Sequence, residues 1–257
     1  LGLLSDAGHN LSDVFSLLLS LFAFRMSKHR STEHFTYGYK KSTVLVSLLN
    51  AIILLIAVGA IIIESIYKLK TPEHVSGAAV SWTAGIGIIV NGVTAWLLMK
   101  NQKHDLNVRG AFLHMAMDTL VSVGVVISGI IIMLTGFVLI DTFISLAIAL
   151  LILVSTWKLL KESLFLSLDA VPESIDLQEV RKHIAEVPGV ESFHHFHVWA
   201  MSTTENAATI HIVLKDLTQM ETVKHAVKEE LCEHGIQHST VECESPGSHC
   251  NDSCCCR

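Results

Sequence analysis

Residues 1–25 of the chain are LGLLSDAGHNLSDVFSLLLSLFAFR. A helix needs about 20 predominantly apolar residues to cross a bilayer, and the run from 3 to 25 has that length. It nevertheless carries Asp6, His9 and Asp13. An ionisable side chain within a span costs several kcal/mol, so each such residue is a functional candidate by default. His9 and Asp13 are four residues apart, one turn along a single helix face. The same spacing recurs in HMAMD, where His114 and Asp118 lie inside the apolar run 108–135. Two such faces brought together offer two imidazole nitrogens and two carboxylates. Four N and O donors suit tetrahedral Zn²⁺, whereas Mg²⁺ and Ca²⁺ take oxygen ligands in higher coordination. Imidazole favours Zn, Co, Ni or Cu, and the lack of a thiolate argues against Cu(I). A single His-Asp pair also serves as a proton relay or as a hydrogen bond that bundles helices; repetition in two spans weighs toward metal ligation.

Of the 257 residues, 51% are hydrophobic and 16% charged. Soluble domains carry about 25% charged residues, and the deficit here is confined to the first 161 positions. Five apolar runs are long enough to span: 3–25, 42–66, 77–99, 108–135 and 139–160. Lys and Arg concentrate after the first run (Arg25, Lys28, Arg30, Lys40, Lys41), after the third (Lys100, Lys103, Arg109) and at the end of the fifth (Lys158, Lys161). Those loops are therefore cytoplasmic, and the C-terminal half with them. Leu1 then falls on the far side with no signal peptide before it. The expectation is a full-length protein of six spans, of which this chain begins just ahead of the second. Asn50 and Asn91 are assigned to helix–helix hydrogen bonds, and Glu64 and Asp141 to the membrane interface. A net charge of −6 leaves no basic footprint for nucleic acid. No nucleophile elbow, P-loop or dinucleotide fingerprint is present, which argues against an enzyme.

The domain boundaries expected are a membrane domain at 1–161, a linker at 162–174, a small soluble domain at 175–244 and a His/Cys-rich tail at 245–257. Apolar spacing at Ile175, Val180, Ile184 and Val187 predicts a helix over 175–187, stopped by Pro188-Gly189. Strands are expected at 190–201, 206–216 and 236–244, with a helix at 219–234 between the last two. This α-β-β-α-β order fits a ferredoxin-like α+β sandwich. Three strands each offer histidine: His194, His195 and His197 on the first, His211 on the second, His238 on the third. Strict alternation puts His195 and His197 on one face and His194 on the other. Strand histidines are as often structural or merely exposed as metal-binding, and both readings stay open. In the tail, His249, Cys250 and Cys254 are candidate soft-metal ligands or part of an unstructured end; adjacent cysteines make a poor disulfide framework, which places that end in a reducing compartment.

LSDAGHNLSD (4–13), FTYGY (35–39), HMAMD (114–118) and HHFHVW (194–199) together resemble the motifs of the cation diffusion facilitator family, the bacterial zinc/cadmium/cobalt efflux proteins and eukaryotic zinc transporters. The resemblance covers nearly the whole chain. It implies six membrane helices, a homodimer in a lipid bilayer, a cytosolic ferredoxin-like domain and metal/proton antiport, with Zn²⁺ as cargo (Cd²⁺ and Co²⁺ also admitted) and protons as the coupling ion. Motif matching makes His9, Asp13, His114 and Asp118 the transport site, and assigns further zinc to His194, His211 and His238 or Glu244. His34 falls where some members hold an interfacial metal. The short 100–107 loop, with His104 alone, favours a bacterial origin and hence an inner membrane. Two rival readings remain: a metal-sensing or partner subunit that does not itself transport, and a proton-coupled transporter of another substrate.

Overall fold

A computed structural model describes residues 17–70, 77–136 and 139–248, with the backbone alone at 68–70, 77–87 and 141. The chain divides into two compact units, one of Ser42–Ser163 with the residues up to Arg30, the other of Ser31–Lys41 with Leu164 onward.

The first unit is helical: α1 (Leu17–Ser27), α2 (Ser42–Lys70), α3 (Gly77–Met99), α4 (Leu106–Thr135) and α5 (Ile140–Ser167) as far as Ser163. Among the described residues, three segments are long and apolar enough to cross a membrane: Ser42–Tyr67, Leu106–Thr135 and Thr142–Ser167. Leu17–Ser27 and Ile88–Met99 are shorter apolar stretches. Large apolar side chains point outward along these helices, with Ile56 68% and Val154 72% exposed. That surface has no place in water and suits hydrocarbon, where the helix also satisfies its own backbone. α4 starts where the Asp105 carboxylate accepts from the Asn107 N–H, and stops at Gly136, whose φ of 70° closes the last turn onto Ile132 O.

Lipid supplies no hydrophobic drive between spans, so close packing and hydrogen bonds hold them. Gly110 of α4 lies against Leu159 and Asn50, and a Cβ at Gly124 would come within 2.7 Å of the Ile148 side chain. Asn107 donates to Thr43 O at 2.9 Å, Ser47 and Ser163 share a hydrogen bond of 2.9 Å, and Arg109 pairs with Glu162. Asn50 donates to Ser20 at 2.7 Å, the interhelical role expected of it. Contacts of α5 through Glu162 and Ser163 hold the helix past residue 161, and it runs on to Ser167 where the sequence reading begins a linker at 162. The ladder ends where helical hydrogen bonding stops, and Lys158 and Lys161 do not interrupt it.

The second unit comprises α6 (Leu177–Glu186), β1 (Val190–Ala200), β2 (Asn206–Leu214), a 3₁₀ turn (Leu217–Gln219), α7 (Met220–Glu233) and β3 (His238–Glu244). The sheet has the order β1-β2-β3, with β1 antiparallel and β3 parallel to β2. One sheet face is covered. Val180 and Ile184 of α6 and Val223, Val227 and Leu231 of α7 bury against Phe196, Val198, Ile210 and Ile212. The opposite face carries the polar residues of all three strands. The 31–41 segment belongs to this unit: Lys40 pairs with Glu205, Lys41 with Asp169, and Tyr37 packs edge-on against His238 at 5.5 Å.

Candidate metal sites

His114 sits on the buried stripe of α4 with Met115 and Met117. The side chains of His114 and Asp118 are 7% and 9% exposed, with Nε2 and Oδ2 3.8 Å apart. That gap is too long for a direct hydrogen bond and is one that a single ion with arms of about 2.0–2.2 Å bridges. His114 faces a small cavity lined by Leu17 and Ser20 of α1, Asn50 and Leu54 of α2, and Gly110 and Ala111 of α4. The buried Asn50 Oδ1 on its wall has no hydrogen-bond donor among the described residues. α4 thus turns His114 toward α1, the helix that follows Asp13 in the chain. His9 and Asp13 themselves lie outside the described residues, as do His249, Cys250 and Cys254.

In the second unit, His194, His211 and Glu244 converge on the open face of the sheet, their ligand atoms all within 4.8 Å of one another. Register brings them together: His194 stands opposite His211, and Glu244 opposite Val213 two residues along. Glu244 Oε1 lies 3.1 Å from His211 Nδ1 and 3.1 Å from His194 Nε2. The His194 nitrogen is buried, yet its geometry makes no hydrogen bond. A buried polar atom left this way costs about 1–3 kcal/mol. A divalent cation among the three groups removes that cost and fits the N₂O donor set. Burial works to raise the Glu244 carboxyl, but hydrogen bonds from Ser248 and His211 and the charges of His194 and His211 hold it below its ordinary value. The carboxyl is therefore anionic at neutral pH.

Two placements differ from the sequence reading. His195 does not face away from His194. A bulge between His194 and His197 inserts one residue, and His195 adopts φ 48°, so its ring lies 5.0 Å from that of His194 and 4.9 Å from that of His211. His238 does not join the cluster. It pairs with Ala207 at the far end of β3, four residues from Glu242, or about 13 Å along the strand. His34 is exposed in the 31–41 segment and belongs to neither of the metal-competent groups found among the described residues. The second of those groups, His183, Glu230 and His234, escaped the sequence reading. Its signal was available, because Glu230 and His234 have the same four-residue helical spacing that marks the membrane pairs.

Comparison with known proteins accords with this architecture. Residues 1–166 match the family model of the cation efflux transmembrane domain, and residues 172–246 that of the cation efflux protein cytoplasmic domain. The chain is 32% identical to the cadmium, cobalt and zinc/H(+)-K(+) antiporter of Bacillus subtilis, over 100% of this chain and 84% of the relative. It is 36% identical to the metal cation efflux system protein CzcD of Cupriavidus metallidurans (95% of this chain, 78% of the relative). It is 34% identical to the zinc transporter ZitB of Escherichia coli (98% and 83%). Among solved structures, the metal-bound C-terminal domain of the Cupriavidus CzcD transporter matches at 36% identity, covering 27% of this chain and 99% of that one, with a TM-score of 0.26. These relatives are transporters, not enzymes.

Proposed function

The chain belongs to the cation diffusion facilitator family, of the bacterial zinc/cadmium/cobalt efflux type, and from that premise we propose that it exports a divalent transition metal, Zn²⁺ foremost, from the cytosol in exchange for protons. The observation that carries the proposal is the pair His114 and Asp118, side by side and largely enclosed in a membrane helix, with His114 turned toward α1. His9 and Asp13 precede Leu17 by eight and four residues, the period that keeps residues on one helix face. The four side chains then form one N₂O₂ site between α1 and α4, in a bundle of five spans. Cd²⁺ and Co²⁺ accept the same ligands.

Cytosolic Zn²⁺ binds the neutral imidazoles and ionised carboxylates. A switch of the bundle exposes the site to the outside, as alternating access requires. Protons there compete for the same lone pairs, because protonated ligands lose metal affinity, and histidine titrates in the physiological range. The same ligands thereby carry protons inward after release. The soluble unit, taken as a cytosolic ferredoxin-like domain of a homodimer in a bacterial inner membrane, holds resident zinc at His194, His211 and Glu244, where the metal senses supply and tightens the dimer.

The test is zinc flux into proteoliposomes under an imposed pH gradient, comparing the parent with Asp118→Ala. Gradient-driven uptake lost in the variant is expected. Undiminished uptake by Asp118→Ala overturns the site, and parent protein that binds zinc without moving it overturns the transport reading.

A further inference from the structure

His183 lies in the last turn of α6, and Glu230 and His234 lie on the last turn and cap of α7. All three flank the buried stripes of their helices, so they face neither the core nor the open side of the sheet. His183 Nδ1 is 2.8 Å from His234 Nε2 and 2.9 Å from Glu230 Oε1, and His234 Nε2 is 3.2 Å from the same Oε1. Three potential acceptors thus form a closed triangle. One proton on His183 serves two edges but leaves a lone pair of His234 facing the carboxylate. A second proton, on His234 Nε2, satisfies that edge and sets two N–H groups against each other across 2.8 Å. No arrangement of protons between neutral imidazoles and a carboxylate satisfies all three edges. A cation does. An ion about 2.0–2.2 Å from each atom sits roughly 1 Å above the triangle, with its remaining coordination open to solvent. Partial burial supports this, as the side chains are 36%, 25% and 17% exposed, enclosed enough to fix the donors and open enough to admit an ion.

We propose that His183, Glu230 and His234 form a second divalent-metal site of the cytosolic unit, of His₂Glu type and suited to Zn²⁺ or Co²⁺. It is separate from the His194–His211–Glu244 cluster, because the two groups lie on opposite sides of the layer formed by the sheet and helices. Metal there clamps the end of α6 to the end of α7, two helices whose buried residues share one apolar cluster. The proposal does not depend on the transport reading.

The full chain in detergent, stripped with chelator and reloaded with Zn²⁺, is assayed for bound zinc by mass spectrometry of the metal. His183→Ala/His234→Ala is expected to lose about one zinc per chain relative to the parent. The same loss is expected on top of His194→Ala/His211→Ala, since the sites are independent. Unchanged stoichiometry in both backgrounds overturns the proposal. A measurement on the parent guards against a variant that misfolds. Zn²⁺ is expected to protect His183 and His234 from diethyl pyrocarbonate, read on their peptides, in the His194→Ala/His211→Ala protein as in the parent. Equal modification with and without Zn²⁺ overturns the assignment. Co²⁺ supplies a spectroscopic signature in the His194→Ala/His211→Ala protein: visible absorption of a low-coordinate N/O site that Glu230→Gln weakens, and absorption that Glu230→Gln leaves unchanged overturns the assignment.

Discussion

Alanine at Gly189 is expected to destabilise the cytosolic unit by about 2–5 kcal/mol, and the structure supplies its own control for that figure. Gly189 has φ 97°, and a Cβ built there would lie 2.5 Å from Val223 Cγ2 in the buried stripe of α7. Gly235 has φ 79°, and a Cβ there meets nothing within 4 Å. Alanine pays for positive φ at both positions, about 1–2 kcal/mol. Only at Gly189 does it also overpack a core that cannot give way, which costs a further 1–3 kcal/mol or so. Val223 is 2% exposed and held on every side, so relief has to come from the backbone. Gly189 also accepts from Lys215 N at 2.9 Å, the bond that closes the β1–β2 ladder at the end from which His194 and His211 are positioned. A shift there reaches the His194–His211–Glu244 cluster. The assay is urea unfolding of the full chain in detergent, followed at Trp199 with Trp82, Trp96 and Trp157 replaced by Phe. Gly235→Ala should lose about 1–2 kcal/mol and Gly189→Ala about 2–5 kcal/mol. Equal losses would refute the role of Val223, and a Gly189→Ala loss below about 0.5 kcal/mol would refute the backbone reasoning as well.

In the membrane unit, Arg109 and Glu162 form an ion pair whose side chains are 21% and 16% exposed. Removing one member strands the other, so Arg109→Met is expected to cost about 3–5 kcal/mol, discounted toward 1–2 for the remaining solvent access; Arg109→Met/Glu162→Leu should recover most of it, read by thermal unfolding in detergent. Asp216 is held below its ordinary carboxyl value by the Thr218 hydroxyl and then by the Thr218 N–H, burial opposing weakly. Its folded value is the depressed one, so its stabilisation is complete above the ordinary aspartate value of about 3.9 and fades as pH falls through the folded value. The stability gap between parent and Asp216→Asn should therefore be constant at neutral pH and close on acidification; a gap that widens on acidification contradicts the assignment.

The membrane half was legible at the level of composition because lipid imposes two coarse rules, apolar length and an aversion to charge. A His-Asp pair in such a run stands out whatever surrounds it. The direction in which His114 points did not follow from the sequence, since it depends on Gly110 allowing α4 to approach Leu159 and Asn50. The extent of α5 was misjudged for a similar reason. Lys158 and Lys161 mark a change in the medium around the helix, while the helix itself continues as long as Glu162 and Ser163 find partners. In the soluble half the strands were visible from alternation, and Pro188-Gly189 gave a sharp boundary. Pairing was not. Which end of β3 stands beside His211 depends on β3 running parallel to β2, and only that orientation brings Glu244 to the cluster and carries His238 away.

The bulge in β1 has the sharpest test. Phe193 packs on the core side and His194 on the open side, and beyond the bulge Phe196, Val198 and Ala200 return to the core. Three steps of β1, from His194 to His197, oppose two steps of β2, from His211 to Thr209. The extra residue is His195, a histidine in the left-handed region, which costs a non-glycine residue about 1–2 kcal/mol. Deleting His195 leaves Phe193, His194, Phe196, His197, Val198, Trp199 and Ala200 in unbroken alternation, each on the face it now occupies. The ladder heals with His194 still opposite His211. Deletion of a residue inside a strand ordinarily flips everything beyond it, whereas here it removes only what the bulge added. The shortened chain is expected to stay within about 1 kcal/mol of the parent in the Trp199-detected urea titration, and to keep the zinc bound by His194, His211 and Glu244. A chain that unfolds shows that the bulge shapes the strand beyond its own residue. One that folds but loses this zinc makes His195, whose ring lies 4.9 Å from His211, a member of the site rather than its neighbour.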